Sequence, residues 1–335
     1  MKKVTIQNIA EELNLSRNTV AKALNGGNVS FETKMTVIQK AYEMGYSKLD
    51  QHLIEEMNSV MKDSNTGTIL VLFNRAESFF WNRILTGISD ELNKKGYRMQ
   101  LHIVDESDIT GEETLKLVVS DVKAIIFLCI FPIEFAQSMS KAGLPMTFFN
   151  APVDAAEYLA IGDVLTLEGR FSVSRVVQKV IDMDKKTFGF IGYTKGCKTI
   201  YDRYCGFMET LRKNNLKPEQ DCLFTRDAKN HYYDYEVIER IILSLSHIPE
   251  VFVCANDDIA KYVASALAKI DMQKARDIVL IGFDNTIEKE FFKSDIYTVD
   301  IRKEAVGRRL VKSVLDQIEE KMDHSIITLE TYPII

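Results

Sequence analysis

Thr5-Ile6-Gln7-Asn8-Ile9-Ala10-Glu11-Glu12-Leu13-Asn14-Leu15-Ser16-Arg17-Asn18-Thr19-Val20-Ala21-Lys22-Ala23-Leu24-Asn25 is the stretch that decides how this chain is organised. Ile6, Ile9, Ala10 and Leu13 recur at helical spacing, and Thr5 stands where an N-cap belongs. Asn14 can take the left-handed conformation that ends a helix. Ser16 then caps a second helix whose buried face is Val20, Ala23 and Leu24, and Asn25-Gly26-Gly27 stops it. Ser30 caps a third, with Met35, Val37, Ile38, Ala41 and Tyr42 as apolar positions and Gly45 as its stop. Two short helices separated by a tight turn and braced by a third form a helix-turn-helix unit.

Outward from this head, residues 50–61 remain compatible with a helix, and Lys62-Asp63-Ser64-Asn65-Thr66-Gly67 has the composition of a flexible junction. Strands and helices alternate beyond it. Strands are expected at Thr68–Phe73, Tyr97–Val104, Ala124–Leu128, Met146–Phe149, Thr187–Ile191, Val251–Cys254 and Ile278–Ile281. Helices are expected at Trp81–Lys95 and Leu167–Met183. Such alternation predicts an α/β body of parallel sheets with helices on both faces, large enough for two lobes. The boundaries read as residues 1–49 for the head, 50–67 for a linker and 68–335 for the body.

The overall charge of −6 conceals an asymmetry. Residues 1–49 carry seven lysines and arginines against four glutamates, a net +3, which leaves −9 for the remainder. A basic head on an acidic body suits contact with a polyanion through the head alone. No apolar run approaches the ~20 residues that span a bilayer, and Met1-Lys2-Lys3 leads into polar sequence rather than a signal peptide, so a cytoplasmic protein without membrane contact is expected. The five cysteines include no C-x-x-C pair, and the five histidines no metal-ligand pair. Neither metal nor cofactor is expected. With no nucleophile elbow, zincin motif or Rossmann fingerprint, no catalytic constellation is present and the chain reads as a non-enzyme.

Several motifs in order make the chain resemble the lac repressor family of bacterial regulators. Val4-Thr5-Ile6-Gln7-Asn8-Ile9-Ala10 with Leu15 to Asn25 is similar to V-T-x-x-D-V-A…V-S-x-x-T-V-S-R-V-L-N. Val29-Ser30-Phe31-Glu32-Thr33-Lys34 and Gly45-Tyr46 resemble V-S-x-x-T-R…G-Y. In the body, Ser78-Phe79-Phe80-Trp81 with Gly87-Ile88 is similar to P-F-F…G-I, and Arg203-Tyr204-Cys205-Gly206-Phe207 to R-x-x-G-F. Cys254-Ala255-Asn256-Asp257-Asp258-Ile259-Ala260 is similar to A-x-N-D-x-x-A, and Ile281-Gly282-Phe283-Asp284-Asn285 to V-G-F-D-[DN]. The resemblance implies a type I periplasmic-binding-protein body, a homodimer, and operator DNA binding, as a repressor, modulated by a small effector, commonly a sugar and in some members a purine.

On that reading Arg17, Asn18 and Lys22 face base edges, since arginine and lysine suit guanine and asparagine suits adenine. Thr5, Ser16, Thr19, Asn25 and Lys34 would hold phosphates. Ala21 and Lys22 replace the family's usual serine and arginine, and lysine lacks arginine's two-pronged contact. Effector binding is expected where loops leave the carboxyl ends of parallel strands. Phe79, Phe80, Trp81 and Asn150 would contribute from one lobe and Arg203, Asn256, Asp257 and Asp284 from the other. The resemblance singles out Arg203 and Asp284.

Two features stand apart. Gly192-Tyr193-Thr194-Lys195-Gly196-Cys197-Lys198-Thr199 has the look of a phosphate-binding loop, but Cys197 occupies the place of an obligatory glycine and no partner strand ending in aspartate follows. A regulator with a nucleotide site is one alternative reading; a solute-binding transport protein, which would have no use for the head, is the other. The linker departs from the family's N-x-x-A-R-x-L hinge: Leu49-Asp50-Gln51-His52-Leu53-Ile54-Glu55 has no arginine, and Glu55 takes the wedge position. Leu53, Met57, Val60 and Met61 recur as one apolar stripe in a segment of net charge −3, which suits pairing with a dimer mate better than insertion into DNA. The alternative is a hinge in shifted register that inserts Leu53.

Overall fold

A computed structural model of the chain describes residues 4–55, 67–74, 79–105, 107–108, 110–226, 232, 234–270, 277–286, 296–320 and 323–334. Contacts divide it into two units, residues 1–67 with 93–98, and residues 68–92 with 99–335.

The first unit is built on α1 (Ile6–Glu12), α2 (Arg17–Leu24) and α3 (Phe31–Glu43). Each starts on a side-chain cap, which satisfies backbone N–H groups that a helix leaves unpaired. Thr5 and Asn8 form a reciprocal capping box, Ser16 Oγ accepts from Thr19 N at 3.0 Å, and Ser30 Oγ from Thr33 N at 3.2 Å. Asn14 at φ +53° and Gly45 at φ +71° turn the chain after α1 and α3. Ile9, Ala10, Val20, Ala23, Val37 and Ala41 close into one buried core, flanked by half-buried Leu13, Leu15 and Leu24. Tyr42, expected in that core, is 58% exposed: it lies beside Ala41 on α3 but on the side turned away from the other two helices. A helical turn follows at residues 51–55, opened by Asp50, whose carboxylate accepts from His52 N. Of the linker stripe only Leu53 is described, and it is half-buried; Met57, Val60 and Met61 lie outside the described residues.

The second unit carries β1 (Thr68–Phe73), α4 (Phe79–Lys95), β2 (Arg98–Ile103), α5 (Glu112–Leu115), β3 (Val122–Leu128), α6 (Ile133–Ser140), β4 (Met146–Phe149), α7 (Ala156–Leu159), β5 (Asp163–Leu167), α8 (Arg170–Asp182), β6 (Phe188–Ile191), α9 (Lys198–Lys213), β7 (Leu223–Phe224), α10 (Tyr235–Ser244), β8 (Val251–Cys254), α11 (Asp257–Ile270), β9 (Val279–Ile281), β10 (Ile296–Asp300), α12 (Lys303–Glu319), β11 (Ile326–Leu329) and β12 (Tyr332–Ile334). Two six-stranded sheets result, ordered β11-β5-β4-β3-β1-β2 and β12-β10-β9-β8-β6-β7. β1 pairs with β3, β3 with β4 and β6 with β8 in parallel, while β10 and β12 run antiparallel. The central strands are buried along their whole length, as parallel strands covered on both faces must be.

The chain passes between the sheets three times, after β5, after β10 and between β11 and β12. The first passage corrects a sequence expectation: the helix foreseen from Leu167 begins only at Arg170, and Asp163–Leu167 forms a strand. Two glycine contacts set the packing of helices against each other. A methyl group on Gly87 would lie 2.2 Å from the carbonyl oxygen of Glu304, and one on Gly307 2.3 Å from that of Ile84, so α4 and α12 touch backbone to backbone. Gly206 brings α9 equally close to Arg170 at the start of α8.

Candidate nucleic-acid interface and effector cleft

In the head, Arg17 and Asn18 open α2 and Lys22 lies in its last turn; all three are exposed. Val20 and Ala23 on the opposite face are fully buried, so the core fixes which side of the helix these polar groups present. The backbone of Gly27 returns onto the stem of Lys22, where an added methyl would sit 2.9 Å from Lys22 Cβ. The residues expected at phosphates have a second role. Thr5, Ser16 and Thr19 make the capping bonds of α1 and α2, and Asn25 is the C-cap of α2, its N–H donating to Ala21 O. Lys34 lies half-buried in the first turn of α3.

In the body, the residues expected from the second sheet come together at its strand ends. Arg203 is 6% exposed; its guanidinium lies 3.5 Å from the centre of the Phe283 ring and donates to the carbonyl oxygen of Ala255. Asp284 follows Phe283 in a left-handed conformation, φ +103°, with Oδ1 3.9 Å from the Arg203 guanidinium. That gap is too long for a hydrogen bond. Burial therefore dominates and pushes the Asp284 carboxyl up to about 7, against the pull of Arg203. Lys303, which the sequence did not single out, adds a second buried cation. Its ammonium donates to Asn285 O at 3.3 Å, and burial lowers its pKa.

Two of the residues expected at the ligand have partners within the fold. Asp257 is fully buried and accepts from Thr298 Oγ1 at 2.7 Å and Thr286 N at 2.6 Å. Gly282 leaves room for its carboxylate, since a methyl there would meet Asp257 Oδ1 at 2.1 Å. Burial raises this carboxyl to about 6. Asn256 Oδ1 accepts from Ile259 N at 3.0 Å, closing the first turn of α11.

From the first sheet, Trp81 packs edge-on against Phe73, Phe80 and Phe149, with centroids 5.3, 4.8 and 5.9 Å away. Phe80 and Trp81 are half-buried, whereas Phe79 is 61% exposed and stands apart from this cluster, beside Arg83. Asn150 spends its side-chain carbonyl on Thr199 Oγ1, 2.6 Å away. Asn74, at the end of β1, was missed by sequence reasoning. Its amide donates to Ile130 O and its Oδ1 has no partner. The signal was available: like Asn150, it is a polar residue directly after an apolar strand. Asn74 Oδ1, Arg203 Nε and Asp284 Oδ1 are buried and unsatisfied, and all three lie at or beside the carboxyl ends of strands. Unpaired buried polar atoms are costly, and among the described residues one more occurs, Gln317 Oε1 on α12.

The loop that resembled a phosphate site is committed otherwise. Lys198 pairs with Asp202 at 2.8 Å, Thr199 with Asn150, and Cys197 Sγ lies 3.1 Å from Thr199 Oγ1. Among the described residues no cluster of metal-ligating side chains occurs and no helix is long and apolar enough to cross a membrane.

Comparison with known proteins agrees with this architecture. A family model described as a periplasmic binding protein-like domain matches residues 177–335. The HTH-type transcriptional repressor PurR of Mannheimia succiniciproducens is 23% identical over 334 residues, covering 98% of this chain and 96% of that protein. The HTH-type transcriptional regulator RegA of Clostridium saccharobutylicum is 26% identical, covering 98% of each. Among solved structures, a CelR–cellobiose complex superposes with a TM-score of 0.67 at 16% identity, covering 99% of both chains. The lac repressor dimer bound to operator and the anti-inducer ONPF does so with 0.67 at 16%, covering 100% of this chain and 98% of that one. With a three-helix head and two parallel sheets, the chain has the fold of the lac repressor, carries a periplasmic binding protein-like domain in its second half, and is similar along its whole length to transcription regulators.

Proposed function

We propose that the protein is a cytoplasmic, homodimeric repressor that reads operator DNA with Arg17, Asn18 and Lys22 and releases or grips it according to a small neutral metabolite of the sugar type. The observation that carries this reading is the exposed polar row on α2, held over a buried core and flanked by capped helix ends. Thr5, Ser16, Thr19, Asn25 and Lys34 position the head on phosphates while also fixing the helices that bear them. In the body, Arg203 and Asp284 hold the effector, with Phe80 and Trp81 as the apolar wall and Phe79 at the rim. The cations Arg203 and Lys303 stand among the carboxyl groups of Asp257, Asp284 and Asp300, so the site carries both signs, which favours an uncharged ligand rich in hydroxyl groups.

Selection of bound sequences from random duplexes tests the head. A dimer selects two half-sites related by symmetry. Lys22→Ala should relax the preference at one base pair of each half-site by about 1–3 kcal/mol and leave the others intact. An unchanged preference, or a single unrepeated half-site, overturns the reading. For the cleft, a thermal-shift panel of neutral sugars, sugar phosphates and nucleobases is the direct measurement. A ligand at about 100 times its Kd stabilises by about 2.7 kcal/mol. We expect a neutral sugar to give that shift with the native chain and none with Arg203→Lys, which keeps the charge but loses the planar fork. A shift retained in the variant removes Arg203 from the site.

A further inference from the structure

The C-terminal end of α9 opens onto a cavity of about 510 Å³. Arg212, on its rim, stands about 14 Å along the helix axis from Arg203, so the cavity is separate from the candidate effector cleft. The way the helix ends builds it. Asn215 takes a left-handed conformation, φ +58°, and the chain folds back so that Leu216 N donates to Leu211 O at 2.9 Å and Asn215 N to Arg212 O at 3.1 Å. A C-terminal cap of this kind sets the residue after the turn against the helix it has just left, here Leu216 against Leu211. Pro218 then disfavours a helical backbone at Lys217, and Glu219 N donates to Phe188 O at 2.9 Å, which ties the loop to β6. Backbone bonds therefore set the walls, and the cavity is formed before anything enters it. Its lining has two parts. Met208, Leu211, Leu216 and Pro218 are apolar, whereas Arg212 and Lys217 are exposed cations whose side chains make no hydrogen bond or ion pair among the described residues. Glu209 is the one acid in the described lining, and it is committed elsewhere. Both its oxygens accept from the Arg170 guanidinium, which holds its carboxyl below the usual range.

We propose that this cavity is a second small-molecule site, selective for an amphipathic carboxylate such as a short alkyl chain or a phenyl ring on a short chain. The apolar body lies on Met208, Leu211, Leu216 and Pro218, and the carboxylate meets Arg212 and Lys217, the guanidinium offering it a two-pronged contact. Charge and polarity together decide the class. A helix C-terminus by itself repels an anion, but this one is closed: Thr210 O accepts from the Asn214 side-chain amide at 2.9 Å, and Leu211 O and Arg212 O are bonded as above. A cation would meet two like charges. A sugar of the kind proposed for the cleft would set hydroxyl groups against an apolar floor and leave them unpaired. The two sites therefore select different chemistry.

Full-length protein carrying carbon-13 in its methionine and leucine methyl groups tests the site by NMR. The probes are 4-phenylbutyrate and hexanoate, each compared with the alcohol of the same skeleton. Titration with the acids should shift the Met208, Leu211 and Leu216 methyl signals along one saturating curve and leave Met139, buried in the first lobe, unmoved. The alcohols should bind about tenfold more weakly, since they forgo the charged hydrogen bonds. The double variant Arg212→Gln, Lys217→Gln changes only exposed side chains, and a native Met139 signal confirms its fold. It should bind the acids no better than the alcohols and bind the alcohols as the native chain does. The absence of a saturable shift with either acid overturns the proposal, as do shifts confined to methyl groups away from α9. Equal affinity for acid and alcohol, or undiminished acid binding by the double variant, would leave only a greasy hollow without a role for the cations, and overturns it too. Arg203 and Asp284 take no part, so the outcome is independent of the thermal-shift test of the cleft.

Discussion

Gly206→Ala is expected to destabilise the body by about 2–4 kcal/mol, although alanine in place of glycine ordinarily strengthens a helix interior by about 1 kcal/mol. The sign reverses because of what the new methyl would meet. It would lie 2.1 Å from the carbonyl oxygen of Arg170 and 2.9 Å from the carbonyl carbon, both backbone atoms at the first turn of α8. A flexible side chain would yield to a methyl group, but these atoms can move only with the helix that carries them. That helix is anchored at the same point: Glu168 accepts from Phe171 N at 2.6 Å and Ser172 N at 3.1 Å, and Ser174 Oγ donates to Gly206 O. For a body of this size the loss corresponds to a fall of roughly 5–15 °C in melting temperature, measurable by calorimetry. A melting temperature equal to or above the native value would show that α8 and α9 do not touch as closely as described.

The same glycine explains why the motif around Arg203 was readable at all. Gly206 is fixed by the helix crossing, Gly282 by the carboxylate of Asp257 and Gly87 by α12, so three of the resemblance motifs record close backbone approaches. Helix caps in the head were legible for a related reason: Ser16 and Ser30 bond to N–H groups three residues away, within the window that a local reading inspects. β5 was not legible. Asp163 and Thr166 break its apolar pattern, and the partners that make them tolerable are distant in sequence. Asp163 accepts from Ser313 Oγ at 2.6 Å and Ser325 N at 2.9 Å, and Thr166 pairs with Thr328. Nothing near residue 163 announces those contacts.

Among the candidate site residues the division runs along the same line. The identities of Arg203 and Asp284 were visible through their motifs, but not that Arg203 is stacked on Phe283 and buried. That packing ties Arg203 to the fold as well, which is why Arg203→Lys and not a truncation is the useful variant. Asn150 was correctly seen to end a strand, while its partner Thr199 lies 49 residues on and was noticed only as part of a misleading phosphate-loop pattern. Lys303 escaped notice because a lysine opening a helix ordinarily faces solvent, and here burial is imposed by the return of the chain after β10.

The largest pH-dependent effect is expected from Asp284→Asn, which should stabilise the protein by about 2–4 kcal/mol at pH 8 and by almost nothing near pH 4. Burial pushes this carboxyl from an ordinary 3.8 to about 7, and the neighbouring Asp257 adds to the rise. A raised acid pKa means that the folded chain holds a proton over a range in which the unfolded chain has lost it. The stability associated with that proton is complete below about 3.8, drains away as pH climbs, and is gone above about 7. Asparagine has the same shape and no proton to lose. Urea unfolding at intervals from pH 4 to 8 should show the native protein weakening up to about pH 7. The variant should weaken only up to about pH 6, where Asp257, raised to about 6 by its own burial, finishes ionising. Parallel curves for the two proteins would mean that Asp284 is not strained by ionisation. A carboxylate kept at such cost, with Oδ1 lacking any hydrogen bond in the fold, supports the role proposed for Asp284 at the effector. The thermal-shift panel closes the argument: Asp284→Asn should gain stability and lose the response to a neutral sugar in the same protein.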